Sequence, residues 1–198
     1  MRPHDDDASG TVIPPFIRRC DENDVSVILA VINAAADAYR GVIPADRWRE
    51  PYMPVEELRI EMAGGVVFAG YVQDGTLVGV MGIQRVRNVS LIHHAYVRPD
   101  VQGRGIGSKL IADLQSAGDR PCLIGTWAAA TWAVHFYERH GFNLVPHEAI
   151  GPLLRAYWNV PDRQIDTSVV LAMPALSASA ASQLIEASLD PRYVFAAR

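Results

Sequence analysis

The sequence predicts a single α/β domain of the α+β kind, a mixed and mostly antiparallel sheet flanked by helices. Three observations carry that expectation. Strand-like apolar runs follow one another with short connections over residues 66–97; the last of them runs into the glycine-rich segment Gln102-Gly103-Arg104-Gly105-Ile106-Gly107 and an amphipathic helix; two more apolar runs, at 122–126 and 166–173, are separated by another helical pattern. The chain's 198 residues, 49% of them hydrophobic, can bury one sizeable core and are too few for two full domains.

Taken in order, residues 1–14 are polar, acidic and proline-punctuated, and read as a disordered lead. A first strand at Phe16–Cys20 is followed by Asp21 or Asn23 as cap of a helix over Asp24–Tyr39, with Val27, Ile28, Val31 and Ile32 as its core face. A loop containing Pro44, Pro51 and Pro54 leads to a second helix, Val55–Ala63, which stops at Gly64-Gly65. Strands at Val66–Val72, Leu77–Arg85 and Val89–Val97 form an antiparallel meander, and Asp74-Gly75 is a strong hairpin signal. A helix over Gly105–Ala117, a strand at Cys122–Thr126, a helix over Thr131–His140 and a last strand near Asp166–Met173 complete the domain, 15–173. Residues 174–198 form an Ala/Ser-rich tail. Its Leu184, Ile185 and Leu189 can make a short helix or fray, and its Tyr193-Val194-Phe195 cluster is the reason to consider docking on the body or on a neighbouring subunit.

Composition excludes several function classes. The net charge of −4 and the lack of any Lys/Arg run argue against a nucleic-acid binder, and no apolar run approaches the length of about eighteen residues that a membrane span needs. The start, Met1-Arg2-Pro3-His4-Asp5-Asp6-Asp7, lacks a signal peptide's apolar core, so a cytoplasmic protein is expected. Cys20 and Cys122 are too few for a disulfide framework and read as buried free thiols. No metal is expected: the histidines offer no His-x-x-x-His pair, and side chains of His93 and His94 alternate to opposite sides of a flat strand.

The glycine-rich segment is an anion site by construction. Glycines let the backbone approach a ligand, and the unpaired N–H groups opening the helix, with its dipole, face a phosphate. Arg104 and Lys109 add charge nearby. A P-loop is excluded because Lys109 follows Ser108 rather than a glycine, and a dinucleotide fingerprint because Leu110 stands where its third glycine belongs. Gln-x-x-Gly-x-Gly at Gln102, Gly105 and Gly107, preceded by Val97-Arg98-Pro99, resembles the pyrophosphate-binding motif of the GNAT superfamily of N-acetyltransferases. A second match lies downstream, where Ala133-Val134-His135-Phe136-Tyr137-Glu138-Arg139-His140-Gly141-Phe142 resembles the family's Ala-x-x-Phe-Tyr-x-x-x-Gly-Phe helix, with Gly141 as its C-terminal cap.

The resemblance implies the GNAT acyl-CoA N-acyltransferase fold over about Phe16–Met173, acetyl coenzyme A as co-substrate, and acetyl transfer to a primary amine of a small molecule within a ternary complex. It implies the Val97 N–H as oxyanion donor, with Arg98, Gln102, Gly103, Arg104, Gly105, Ile106, Gly107 and Ser108 following the cofactor; for Arg98 a plain surface role is the alternative. Tyr137 is implied to protonate the leaving thiolate, since a thiol of pKa about 8.5 and a phenol near 10 make that transfer reasonable, packing alone being the other reading. His94 and His93 are the candidates for the general base, or else are structural histidines. Many relatives carry an asparagine where Ala130 stands, which leaves a pantetheine contact to Thr131. The acceptor site is implied to lie between the loop 39–52 and the segment 152–161. Tyr39, Arg40, Trp48, Arg155 and Tyr157 would line it and an arginine would pair with a substrate anion, unless Trp48 and Trp158 cap the core and the arginines are solvated. The rival reading is a catalytically silent acyl coenzyme A sensor on the same fold. Neither nucleic acid nor membrane is expected as partner, and a homodimer stays open.

Overall fold

The computed structural model describes residues 14–116, 118–158 and 160–194. The expected lead up to residue 13, the expected helix end Ala117 and Phe195 of the tail cluster lie outside the described residues.

Strand β1, Phe16–Arg19, ends where Asp21 starts a helical turn. The Asp21 carboxylate accepts from the Asn23 N–H at 2.8 Å, and the Asp24 carboxylate accepts from the Asp21 N–H at 2.9 Å, a reciprocal cap that satisfies donors the helix leaves open. Asp24 also receives both guanidinium arms of Arg18 at 2.6 Å each. Helix α1, Val25–Ala36, buries Ile28, Val31 and Ile32 as expected, together with Val25, Ala35 and Ala36. Val27 is a correction: the stripe advances by three and four from Val25, which leaves Val27 on the outer face, 37% exposed. A further helical turn at Asp37–Tyr39 leads into the loop, and α2, Val55–Ala63, stops at Gly64.

Strands β2 (Val67–Gln73), β3 (Thr76–Val86) and β4 (Val89–Val97) form the meander, with Asp74 and Gly75 at φ +50° and +73° in the first turn. Helix α3, Ile106–Ser116, crosses to β5, Cys122–Trp127, which lies parallel to β4. Helix α4, Thr131–Glu138, is followed by the short edge strand β6, Asn143–Leu144, and later by β7, Ser168–Met173. The sheet order is β1-β2-β3-β4-β5-β7-β6. Because side chains alternate along a strand, with an extra residue at Val78 of β3 opposite β2 shifting the phase, Val78, Met81, Ile92, Ile124 and Leu171 pack under α3 and α4, while neighbours such as Leu77, Val80, Leu91, Leu123 and Val170 join the opposite core.

Helix α5, His147–Tyr157, lies before the last strand, where the sequence reading assigns no element. It carries Pro152 inside it, and an internal proline removes a helix hydrogen bond. Burial of Ala149, Leu153, Leu154 and Tyr157 against β4, β5 and β7 outweighs that loss. A short α6, Asp162–Ile165, precedes β7. In the tail, α7 spans Ala178–Ala187 and packs on α5, with Ala181 buried, and α8, Pro191–Val194, follows. The Tyr157 hydroxyl lies 2.9 Å from Asn88 Oδ1 and 3.0 Å from the Leu184 carbonyl, which also accepts from Asn88 Nδ2 at 2.8 Å. This part of the tail docks on its own body, while Leu189 stays 66% exposed. Cys20 and Cys122 are free thiols. Among the described residues no helix is long and apolar enough to cross a membrane.

Candidate active site

The site originates in a defect of the sheet. Between β3 and β4 the register passes from Gly82↔His93 to Val80↔Tyr96, so His94 and Ala95 together oppose Met81. This bulge puts His94 at φ +47°, a left-handed conformation uncommon for a residue with a side chain. Parallel pairing of β4 with β5 stops at Ile92↔Ile124, although the strands run on to Val97 and Trp127. The two central strands therefore part, leaving backbone groups of β4 facing a gap.

Val97 shows what the gap offers. The Arg98 N–H donates to the Val78 carbonyl at 2.9 Å, so by strand alternation the Val97 N–H points the other way, toward β5. The Val97 carbonyl accepts from Gln102 Nε2 at 2.9 Å, which ties the end of β4 to the glycine-rich loop. Gly103 and Gly105 at φ +77° and +76° fold that loop so that α3 opens onto a cavity of about 740 Å³. Gly107 serves close packing instead: a Cβ there would lie 3.2 Å from two ring carbons of Phe136, tighter than ordinary contact, where α3 and α4 meet. The cavity is bounded by the opening residues of α3, the end of β4, and Trp132, Phe136 and Arg139. Free N–H groups at a helix start, a glycine cradle and an outward strand amide fit an elongated ligand with a phosphate at one end and amides along its length.

On the other side of the gap lies a second cavity of about 790 Å³, under the loop that carries Trp48 and Tyr52 and beside the end of α5. Tyr39, Ala95, Tyr96 and Tyr137 line both cavities, so the two spaces meet at this wall. Tyr137 is held by edge-on packing against Phe136 and Phe142, with ring centroids 5.2 and 6.1 Å away. Burial, then the nearby Tyr39, raises its pKa, so its hydroxyl keeps its proton throughout the neutral range and is a weaker acid toward a thiolate than the phenol near 10 that the resemblance assumes. Tyr39 is pushed up to about 12, mainly by burial.

The structure places the two histidines together, correcting the expectation that they face opposite sides of the sheet. The bulge rotates His94 by the extra residue, both rings line the second cavity, and their centroids are 5.8 Å apart. His93 Nε2 meets Gln84 Oε1 at 3.1 Å, and burial, followed by the neighbouring His94, pulls its pKa down to about 4. His94 Nε2 is hydrogen-bonded to Glu61 Oε2 of α2. Burial pushes the Glu61 carboxyl up, but the His94 hydrogen bond and the charges of His94, His93 and Arg49 outweigh it and hold the group below the usual carboxylate range.

Of the other residues singled out in the sequence, Val97, Gln102, Gly103, Gly105, Ile106, Gly107 and Ser108 line the first cavity, and Trp48 and Tyr157 line the second. Arg98 is turned to Asp100, to which it donates at 2.6 and 3.0 Å; Arg104 reaches only the Asp100 carbonyl, and Thr131 lies outside both linings. Lys109 lies over the Tyr71 ring and hydrogen-bonds its hydroxyl at 3.1 Å. Arg40 pairs with Asp37 and Glu50 and stacks on Trp48, and Arg155 pairs with Asp162 at 3.4 Å; neither lines the second cavity. Glu61, Gln84, Trp132 and Arg139 were not singled out. Arg139 could have been found from the helix spacing, three residues beyond Phe136 and seven beyond Trp132 on one face, whereas Glu61 meets His94 across 33 residues of chain and leaves no local signal.

Residues 21–150 match the family model described as the acetyltransferase (GNAT) domain. No curated protein matches the chain by sequence. Among solved structures, the PaiA N-acetyltransferase from Thermoplasma acidophilum in complex with coenzyme A is 18% identical, with a TM-score of 0.59 over 81% of this chain and 98% of its own. A GNAT-family acetyltransferase from Staphylococcus aureus Mu50 is 17% identical, with a TM-score of 0.60 over 80% and 98%. The ribosomal-protein-S18-alanine N-acetyltransferase from Escherichia coli is 16% identical, with a TM-score of 0.57 over 81% and 94%. At these identities the likeness is one of fold, a mixed sheet flanked by helices.

Proposed function

The chain belongs to the GNAT acetyltransferase family, and from that premise we propose that it moves an acetyl group from acetyl coenzyme A to the primary amine of a small molecule, by direct attack in a ternary complex. The observation that carries the proposal is the common wall of the two cavities: a donor bound along β4 and an acceptor held under the Trp48 loop meet at Tyr137. The first cavity fits the donor by its helix-start N–H groups, its glycine cradle and the outward amide of Val97. The second has a volume within the range of small-molecule sites, about 300–1,000 Å³, which favours a small acceptor over a long peptide.

Bound acetyl coenzyme A would supply an activated acetyl thioester. The N–H groups opening α3 would hold its pyrophosphate and Arg139 a further negative charge, while the Val97 N–H would stabilise charge gathering on the thioester oxygen. In the transfer, the bond from amine nitrogen to acetyl carbon forms and the carbon–sulfur bond breaks. The amine's proton passes to a histidine of the second cavity, and the Tyr137 hydroxyl gives its proton to the departing sulfur. Neither motif contains a cysteine, so no acetyl-cysteine stage is invoked. The test is a screen of small primary amines, amino acids and peptides for thiol release. Release with small amines, accompanied by mass gain of one acetyl group on the amine, supports the proposal; tight coenzyme A binding with no release would favour the sensor reading.

A further inference from the structure

Resting on that reading, we infer that His94 is the general base and that Glu61, across the cavity on α2, is its positioning residue, holding the ring in the Nε2–H form and leaving Nδ1 for the acceptor amine. Three observations lead there. First, the bulge holds His94 at φ +47°, the geometry that brings its ring beside His93 on the cavity side. Pairing of β4 with β5 ends at Ile92, two residues before the bulge, so the donor gap and the turned His94 side chain lie side by side on β4. Second, the ring is fixed at Nε2 by the Glu61 carboxylate and flanked by Phe68 and Tyr96, with near-parallel rings at 5.9 and 6.4 Å. Nδ1 has no hydrogen-bond partner among the described residues and stays accessible on a ring that lines the second cavity. Third, Glu61 is ionised, the state that fixes the tautomer and stabilises an imidazolium once the proton arrives.

His93 has the opposite character. Its Nε2 is engaged by neutral Gln84 rather than a carboxylate, and burial keeps it uncharged, so it gives a proton no stabilised resting place. The charged and titratable groups beside the pair are His93 and Tyr96 from β4, Glu61 from α2, and Arg49 of the loop, which pairs with Glu57, while Asp46, Arg47, Tyr39, Tyr52, Tyr137 and Tyr157 also line the cavity. The proton leaves the amine nitrogen for His94 Nδ1 as the new N–C bond forms, and no further reactant is needed.

The experiment combines long-range proton–nitrogen NMR of the histidine rings with pH profiles of kcat/KM. In the wild type, neutral His94 is expected as the Nε2–H tautomer. Glu61→Met should release that preference and lower kcat about tenfold to a hundredfold with little change in KM, while Glu61→Gln, which keeps an acceptor for Nε2–H, should restore the tautomer and part of the rate. His94→Gln should remove the acidic limb of the profile, and His93→Gln should retain it whatever its effect on rate. A tautomer and kcat indifferent to Glu61→Met, or an acidic limb that disappears with His93 and stays without His94, overturns the inference. Absence of turnover in the wild type with every amine, the Glu61-dependent tautomer being present, overturns the transferase reading and the base role together.

Discussion

Replacing Gly105 separates the loop's conformational demand from its role as a ligand cradle. Gly105 and Gly75 share nearly one backbone geometry, φ +76° and +73°, and a Cβ at either would meet nothing within 4 Å. An L-residue in this left-handed region costs roughly 1–2 kcal/mol, and for a domain of this size about 1 kcal/mol moves Tm by roughly 2–4 °C. Gly75→Glu and Gly105→Glu should therefore lower the ligand-free Tm alike, by about 2–8 °C. Coenzyme A separates them. At a hundredfold excess over Kd the ligand stabilises the native state by about 2.7 kcal/mol, or roughly 5–11 °C, and Gly75→Glu should keep that gain because its turn lies outside both cavities. Gly105→Glu directs bulk and negative charge into the cradle and should lose nearly all of it. Differential scanning fluorimetry across a coenzyme A titration reads both quantities. Equal ligand-induced shifts in the two variants would refute the assignment of the loop.

Tyr137→Phe should leave the fold and coenzyme A affinity intact while lowering turnover about tenfold to a thousandfold, measured by thiol release beside isothermal titration; unchanged turnover would make Tyr137 a packing residue. Asp24→Asn should destabilise by about 1–3 kcal/mol near neutrality, because Arg18 hydrogen bonds lower the Asp24 pKa in the folded state. A depressed carboxylate contributes stability above its unfolded pKa and loses it as pH falls through the folded value, so in denaturant melts the wild-type advantage should begin to shrink below about pH 4 and vanish only below the depressed folded pKa. Tyr157→Phe should loosen α7 from α5, seen as faster amide exchange over Ala178–Ala187 with the rates in α3 unchanged.

What the sequence makes legible is local. Asp74-Gly75 specifies its turn, Gly64 its helix end, and Gln102 to Gly107 its loop, because the chemistry of each is contained in a few consecutive residues. Alternation and spacing mislead where the chain departs from its own period. The extra residue at His94 turns two histidines to one side, and the apolar face around Leu153 and Leu154 sustains a helix through Pro152. Charges near a motif are also poor guides to where a guanidinium goes. Arg98 and Arg104 stand in the loop yet turn to Asp100, whereas Arg139 enters the cavity from another helix. The Glu61 contact with His94 comes from sheet and helix packing, which no short-range pattern encodes.

Thiol release from acetyl coenzyme A, compared between small primary amines and peptides with free N-termini, tests the central claim most directly. Amine-dependent release, with kcat/KM higher for the best small amine than for any peptide and one acetyl group gained per thiol, is the predicted result. Coenzyme A bound tightly while no amine of any size raises thiol release above buffer hydrolysis would contradict it.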